Sequence, residues 1–187
     1  MMTITLEGID KSGKSTFANI LKDAAYAVNK KAIIKHYSKP TERTSEELTK
    51  RYKDDYNEAK ESGADIYILD RSFFGNWVYS QFYAQTTLTH DHLIELQDHF
   101  FKNSSNSILL FFTAPAKVIK KRFESDKENF TSTKDIKSIL RLYDLMKKDV
   151  PFGWNMLELD SKLLENNIDV YKMMSTKLAE LIIKKFI

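Results

Sequence analysis

The chain of 187 residues contains no cysteine. Disulfide frameworks, thiolate metal sites and cysteine nucleophiles are thereby excluded. The absence fits a reducing compartment, and a cytoplasmic location is the expectation. Five glycines and three prolines are the only strong punctuation, so turns should be few and helices long. No apolar run approaches the roughly 20 residues that cross a bilayer. Glu7 and Asp10 interrupt the N-terminal apolar stretch early, so neither a signal peptide nor a membrane partner is expected. Lys and Arg number 29 against 26 Asp and Glu, a net charge of +3. That excess is too small to argue for a polynucleotide. With no repeat period in view, the length suits one domain over residues 1–187.

What is present alternates. Five short β-rich runs appear: TITLEG from Thr3, AIIKHY from Ala32, DIYILD from Asp65, SILLFFT from Ser107 and NMLELD from Asn155. Stretches with apolar residues at steps of three and four lie between them, such as Phe17, Ile20, Leu21, Ala24 and Ala25. That spacing predicts amphipathic helices. Strands alternating with helices predict an α/β fold, with a parallel sheet of about five strands and helices on both faces. Ligands of such sheets bind at the carboxyl ends of the strands, and the informative residues fall just past strand ends.

Gly8-Ile9-Asp10-Lys11-Ser12-Gly13-Lys14-Ser15 satisfies the phosphate-loop pattern G-x-x-x-x-G-K-[ST], with Thr16 following. The glycines let the backbone wrap so that its N–H groups converge on an anion, and the helix N-terminus after Gly13 adds partial positive charge. Lys14 is placed to reach the β- and γ-phosphates of ATP, and the Ser15 hydroxyl to ligate Mg²⁺. The guanine-reading N-K-x-D of a GTPase is missing, since Asn29-Lys30 is followed by Lys31-Ala32. The DIYILD strand ends in Asp70, and Arg71 follows directly. An aspartate there can hold the Mg²⁺ shell or accept a proton from an attacking hydroxyl. The arginine can clamp an acceptor phosphate. The four histidines show no ligand or triad spacing.

LEGIDKSGKST resembles the first motif of the thymidylate kinases, within the P-loop nucleoside monophosphate kinase family, and LDRS resembles their Asp-Arg motif. KPTERTSEE resembles the proline and arginine loop that holds the acceptor phosphate, with Arg43 in the arginine's place. FTAPAKVIKKRF resembles the strand, proline and helix leading into a mobile lid, here about residues 120–134. Arg122 matches the arginine that stacks on the donor adenine. The resemblance implies a three-layer P-loop kinase fold, ATP and Mg²⁺ as donor and cofactor, and a deoxynucleoside monophosphate, dTMP, as acceptor. It implies that Asp10 faces the acceptor and that Lys11 stands where one class carries a catalytic arginine. Tyr79 takes the place of the substrate-facing aromatic. Family analogy also implies a homodimer.

The sequence departs from that family at several points. The segment between Pro40 and Asp65 has room for one helix. Ser72 follows the Asp-Arg pair: an acid-Arg-Ser triplet is similar to that of deoxynucleoside kinases, which begin it with glutamate, and the longer Asp-Arg-Ser…Val-Tyr pattern resembles compact nucleotide kinases of large DNA phages. Tyr52 and Tyr56, four residues apart, share a helix face that either closes over a base or is an ordinary amphipathic stripe. The expected catalytic set is thus Lys11, Lys14, Asp70 and Arg71. The expected ATP set is Gly8, Asp10, Lys11, Ser12, Gly13, Lys14, Ser15, Thr16 and Arg122. The expected acceptor set is Asp10, Arg43, Tyr52, Tyr56, Arg71 and Tyr79, with Ser15 and Asp70 at the metal. Two rivals remain: a deoxynucleoside kinase acting on a 5′-hydroxyl, and a nucleotide-binding regulator without acceptor chemistry.

Overall fold

The computed structural model describes residues 1–38, 44–84, 88–125, 132–149, 155–160 and 168–186. Five strands form one sheet: β1 (Met2–Glu7), β2 (Ala32–His36), β3 (Ile66–Asp70), β4 (Ser107–Thr113) and β5 (Asn155–Asp160). The order is β2-β3-β1-β4-β5 and every pairing is parallel. The α/β class and strand number expected from the alternating pattern are therefore observed. The described helices are α1 (Lys14–Ala27), α2 (Ser45–Glu61), α3 (Phe73–Phe82), α4 (His90–Asn103), α5 (Ala116–Ser125), α6 (Thr133–Met146) and α7 (Ile168–Phe186).

The period of two along each strand divides the core into two layers. On one face Met2, Ile4, Leu6, Ile66 and Ile68 pack against Phe17 and Leu21 of α1 and Ala179 and Ile182 of α7. On the other, Tyr67, Leu69, Leu109 and Phe111 pack against α2, α3, α4 and α6 through Tyr52, Phe73, Phe100 and Ile139. Each such Leu or Phe contributes about 1.5–3 kcal/mol by leaving water. β1, at the centre, breaks the pattern: its residues facing the second layer are Thr3, Thr5 and Glu7, all fully buried. Polar groups there need partners. Thr3 finds one in Ser104, hydroxyl to hydroxyl at 2.6 Å.

Local signals agree with the global arrangement. Thr44 and Glu47 cap α2 reciprocally, and Ser132 and Asp135 do the same for α6, each worth about 1 kcal/mol. Parallel register sets His36 beside Asp70, and Asp70 beside Leu6. The carboxyl ends of β2, β3 and β1 thereby line up at one edge of the sheet. Among the described residues no helix is long and apolar enough to cross a membrane.

Candidate active site

The loop after β1 is held by residues that only its own sequence could supply. Gly8 has φ 138°, and a Cβ there would lie 2.4 Å from the Phe112 carbonyl oxygen of β4. Gly13 (φ 96°) turns the chain into α1. Gly13 has no side chain to cap that helix, so its first N–H groups can serve an anion. Lys14 is 4% exposed. Its ammonium donates to the carbonyls of Gly8 and Ile9, both at 2.8 Å, and to Ser12 Oγ at 3.4 Å. Burial pushes its pKa down, opposed chiefly by the nearby charge of Asp10. Phosphate oxygens would take over the partners that the loop carbonyls now provide.

Ser15 Oγ donates to Asp70 Oδ2 at 2.6 Å, which joins the first turn of α1 to the tip of β3. His36 Nδ1 lies 2.8 Å from the same oxygen. The other oxygen, Oδ1, is buried without a hydrogen-bond partner among the described residues. A serine hydroxyl beside a carboxylate oxygen still open to bonding fits Mg²⁺, which is usually held by one or two carboxylates together with substrate phosphates. Among the described residues no three His, Asp or Glu side chains form a metal cage.

Arg71 adopts the left-handed conformation, φ 66°, and its N–H donates to the Leu6 carbonyl at 3.1 Å. The turn aims its guanidinium back over the loop, where Nη2 meets Asp10 Oδ1 at 2.6 Å. Both side chains are about a third exposed or less, 30% and 26%. Tyr79 of α3 stands beside this pair: burial raises its phenol pKa, with the Asp10 charge adding to the rise. Lys11, also left-handed (φ 64°), is tied at its carbonyl by Arg122 Nη1 of α5 at 2.9 Å. The end of α5 is thereby fastened to the loop. Thr16 is exposed on the first turn of α1.

The structure thus gathers Asp10, Lys14, Ser15, Asp70, Arg71 and Tyr79 in one place, with Lys11 and Arg122 at its rim. Arg43, and residues 126–131 of the expected lid, lie outside the described residues. Tyr52 and Tyr56 do not join the site: both are 0% exposed. Tyr52 packs its ring 4.4 Å from Tyr37, and Tyr56 lies 5.0 Å from Phe100. Their shared face is the apolar stripe of an otherwise charged α2, completed by Leu48 and Ala59, and burial of that stripe outweighs any role over a base.

Two residues of the site were missed by sequence reasoning. His36 reaches Asp70 because β2 pairs with β3, an adjacency that no motif encodes. Glu7 is fully buried and its pKa is raised to about 7, mainly by burial, with the Ser72 hydrogen bond and the Lys14 charge opposing. A lone carboxylate at the end of a buried strand was the available signal.

No family model matches the sequence, and no curated protein does. Solved structures do. The YorR protein of Bacillus subtilis in complex with phosphorylated GDP aligns over 96% of both chains with a TM-score of 0.66 and 25% identity. The fold is thus a known one, a five-stranded parallel α/β sheet flanked by helices. Deoxyadenosine kinase from M. mycoides shares it at 14% identity, with its products dCMP and dCDP bound (TM-score 0.60, 95% of this chain and 98% of that one). The same enzyme with dCTP aligns over 98% and 100% at 13% identity (TM-score 0.58).

Proposed function

We propose that this chain is a Mg²⁺- and ATP-dependent phosphotransferase whose acceptor is a deoxynucleoside monophosphate, with dTMP the first candidate by its thymidylate kinase-like motifs. The observation that carries the reading is the Asp10–Arg71 pair at 2.6 Å, set beside Asp70 at the mouth of the phosphate loop. A donor site alone needs none of it. Lys14 and the N–H groups of α1 hold the donor phosphates. Arg71, with Arg43 by family analogy, holds the acceptor phosphate and aligns it with the γ-phosphoryl group. Asp70 orients Ser15 and the acceptor oxygen. A monophosphate is already anionic, so alignment and charge neutralisation suffice without a strong base. When bound, Mg²⁺ would supply neutralising charge on the phosphates, held by Ser15 and Asp70. The YorR protein carries a guanine nucleotide, which argues for including purine monophosphates among the acceptors tested.

A second reading has its own support. Asp70 Oδ2 is held by Ser15 and His36, while Oδ1 has no partner among the described residues. That is the posture of a base awaiting a proton, as phosphorylation of a 5′-hydroxyl would require. One assay separates the readings: ADP release measured against deoxynucleosides, their monophosphates and a 5′-hydroxyl oligonucleotide. Turnover with monophosphates is expected. Turnover with nucleosides alone establishes the second reading. Nucleotide binding with no turnover at all would mark a regulator.

A further inference from the structure

Glu7 ends β1 one residue before the phosphate loop and is 0% exposed. Its Oε1 accepts from Ser72 Oγ at 2.5 Å and from the Gly75 N–H at 3.1 Å. Its Oε2 accepts from Tyr143 Oη of α6 at 3.4 Å. Ser72 is the residue after Arg71, and its hydroxyl also accepts from the Phe74 N–H at 3.2 Å, capping α3. The carboxyl therefore grips the chain just past the strained Arg71 turn, while the Leu6 carbonyl grips it at Arg71 itself. Space has been cleared for it. A Cβ on Gly75 would lie 2.8 Å from Oε2 and 3.3 Å from Tyr143 Oη, so any other residue there would displace the carboxyl.

We propose that Glu7 is a positioning residue for phosphoryl transfer: through Ser72, Gly75 and Tyr143 it holds the Arg71 turn and α6 in register with the phosphate loop. The proposal rests on the phosphotransferase reading above and adds to it a residue that touches neither phosphate nor acceptor. The charged and titratable groups facing this carboxyl are Lys14 from α1 and Tyr143 from α6, with Asp10, Asp70, Arg71 and Tyr79 around them. Its pKa of about 7 means that the grip changes character within the physiological range: the anion accepts from Ser72, whereas the acid can donate instead. Phosphates that draw Lys14 away from the loop carbonyls would also change the charge that Glu7 feels.

The test uses Glu7→Gln, which keeps the shape and an accepting oxygen but loses the charge and the titration. Ser72→Ala and Tyr143→Phe each remove a single tie. With the acceptor found by the assay above, Glu7→Gln lowers kcat roughly tenfold or more through misalignment, with the KM for ATP within about twofold. The limb of the kcat–pH profile near 7 disappears. Ser72→Ala follows in the same direction and Tyr143→Phe less so. Calorimetry of Mg-ADP binding in two buffers of different ionisation enthalpy counts the protons exchanged, and needs no acceptor. At pH 7 the wild-type protein and Glu7→Gln differ in that count. Should no acceptor turn over, the functional reading fails while the proton count still judges Glu7. Equal proton counts overturn the proposal, as do wild-type kcat and an unchanged pH profile in Glu7→Gln. If Glu7→Gln does not fold, Ser72→Ala and Tyr143→Phe decide by the same measures.

Discussion

The two halves of the proposed site, donor and acceptor, are built in different ways. The donor half is one continuous stretch, Gly8 to Ser15, in which backbone conformation does most of the work: two glycines at φ 138° and 96°, an uncapped helix start and one buried ammonium. On that reading the acceptor half is assembled from the ends of β2 and β3, Tyr79 of α3 and one side chain lent by the donor loop, Asp10. A phosphate is the same in every nucleotide, so a fixed local device serves it. An acceptor must be aligned with that device, and alignment requires contacts between segments far apart in the chain.

Asp70 joins the halves, because one of its oxygens receives Ser15 from the donor side and His36 from the acceptor side. Replacing it breaks the comparison most severely. Asp70→Ala is expected to lower kcat by ~10²-fold or more and to change the kinetic constants for both substrates, as steady-state kinetics with ATP and acceptor varied in turn would read. Transfer left intact would displace the site from the tip of β3.

Arg71 should act on one half alone. Arg71→Lys keeps a charge but loses the planar fork that meets Asp10. The KM for the acceptor rises roughly tenfold while ATP binding stays within about twofold. An equal loss for both substrates would mean that Arg71 belongs to the donor half.

A third effect concerns stability and comes from the seam between the halves. Glu7 titrates near 7 in the folded chain against 4.5 for the ordinary side chain, so the folded state holds this proton more tightly than the unfolded one. Below about pH 4.5 both states are protonated and Glu7 imposes no penalty. As pH rises from 4.5 to 7 the penalty grows, to an upper bound of ~3 kcal/mol. The unfolding free energy of Glu7→Gln minus that of wild type should therefore increase with pH across this window in urea titrations. A flat difference would mean that Glu7 is not buried as a titrating acid.

The fold was legible because its signals are local and repeated. Five apolar runs separated by helical periodicity point to a parallel α/β sheet, and the five strands stand where those runs lie. The phosphate loop was legible for the same reason: its spacing, its glycines and its lysine are contiguous. Asp70 and Arg71 could be read from their place at a strand end. Tyr52 and Tyr56 could not be resolved, since a stripe at a spacing of four serves a core or a cleft equally well, and the packing of Tyr37, Phe73 and Phe100 around them decides for the core. His36 was invisible because the pairing of β2 with β3 is a property of the sheet.

By itself the sequence determined the donor loop, the strand-helix alternation and the carboxylate-guanidinium pair at the end of β3, all set by residues close in the chain, where backbone sterics and periodicity act. Only the tertiary structure decided that His36 and Ser15 share one oxygen of Asp70, that Asp10 holds Arg71, and that Glu7 lies buried beneath them against Ser72, Gly75 and Tyr143. Those contacts depend on strand order and register, which follow from the burial of two whole layers of side chains and leave no trace in any single segment.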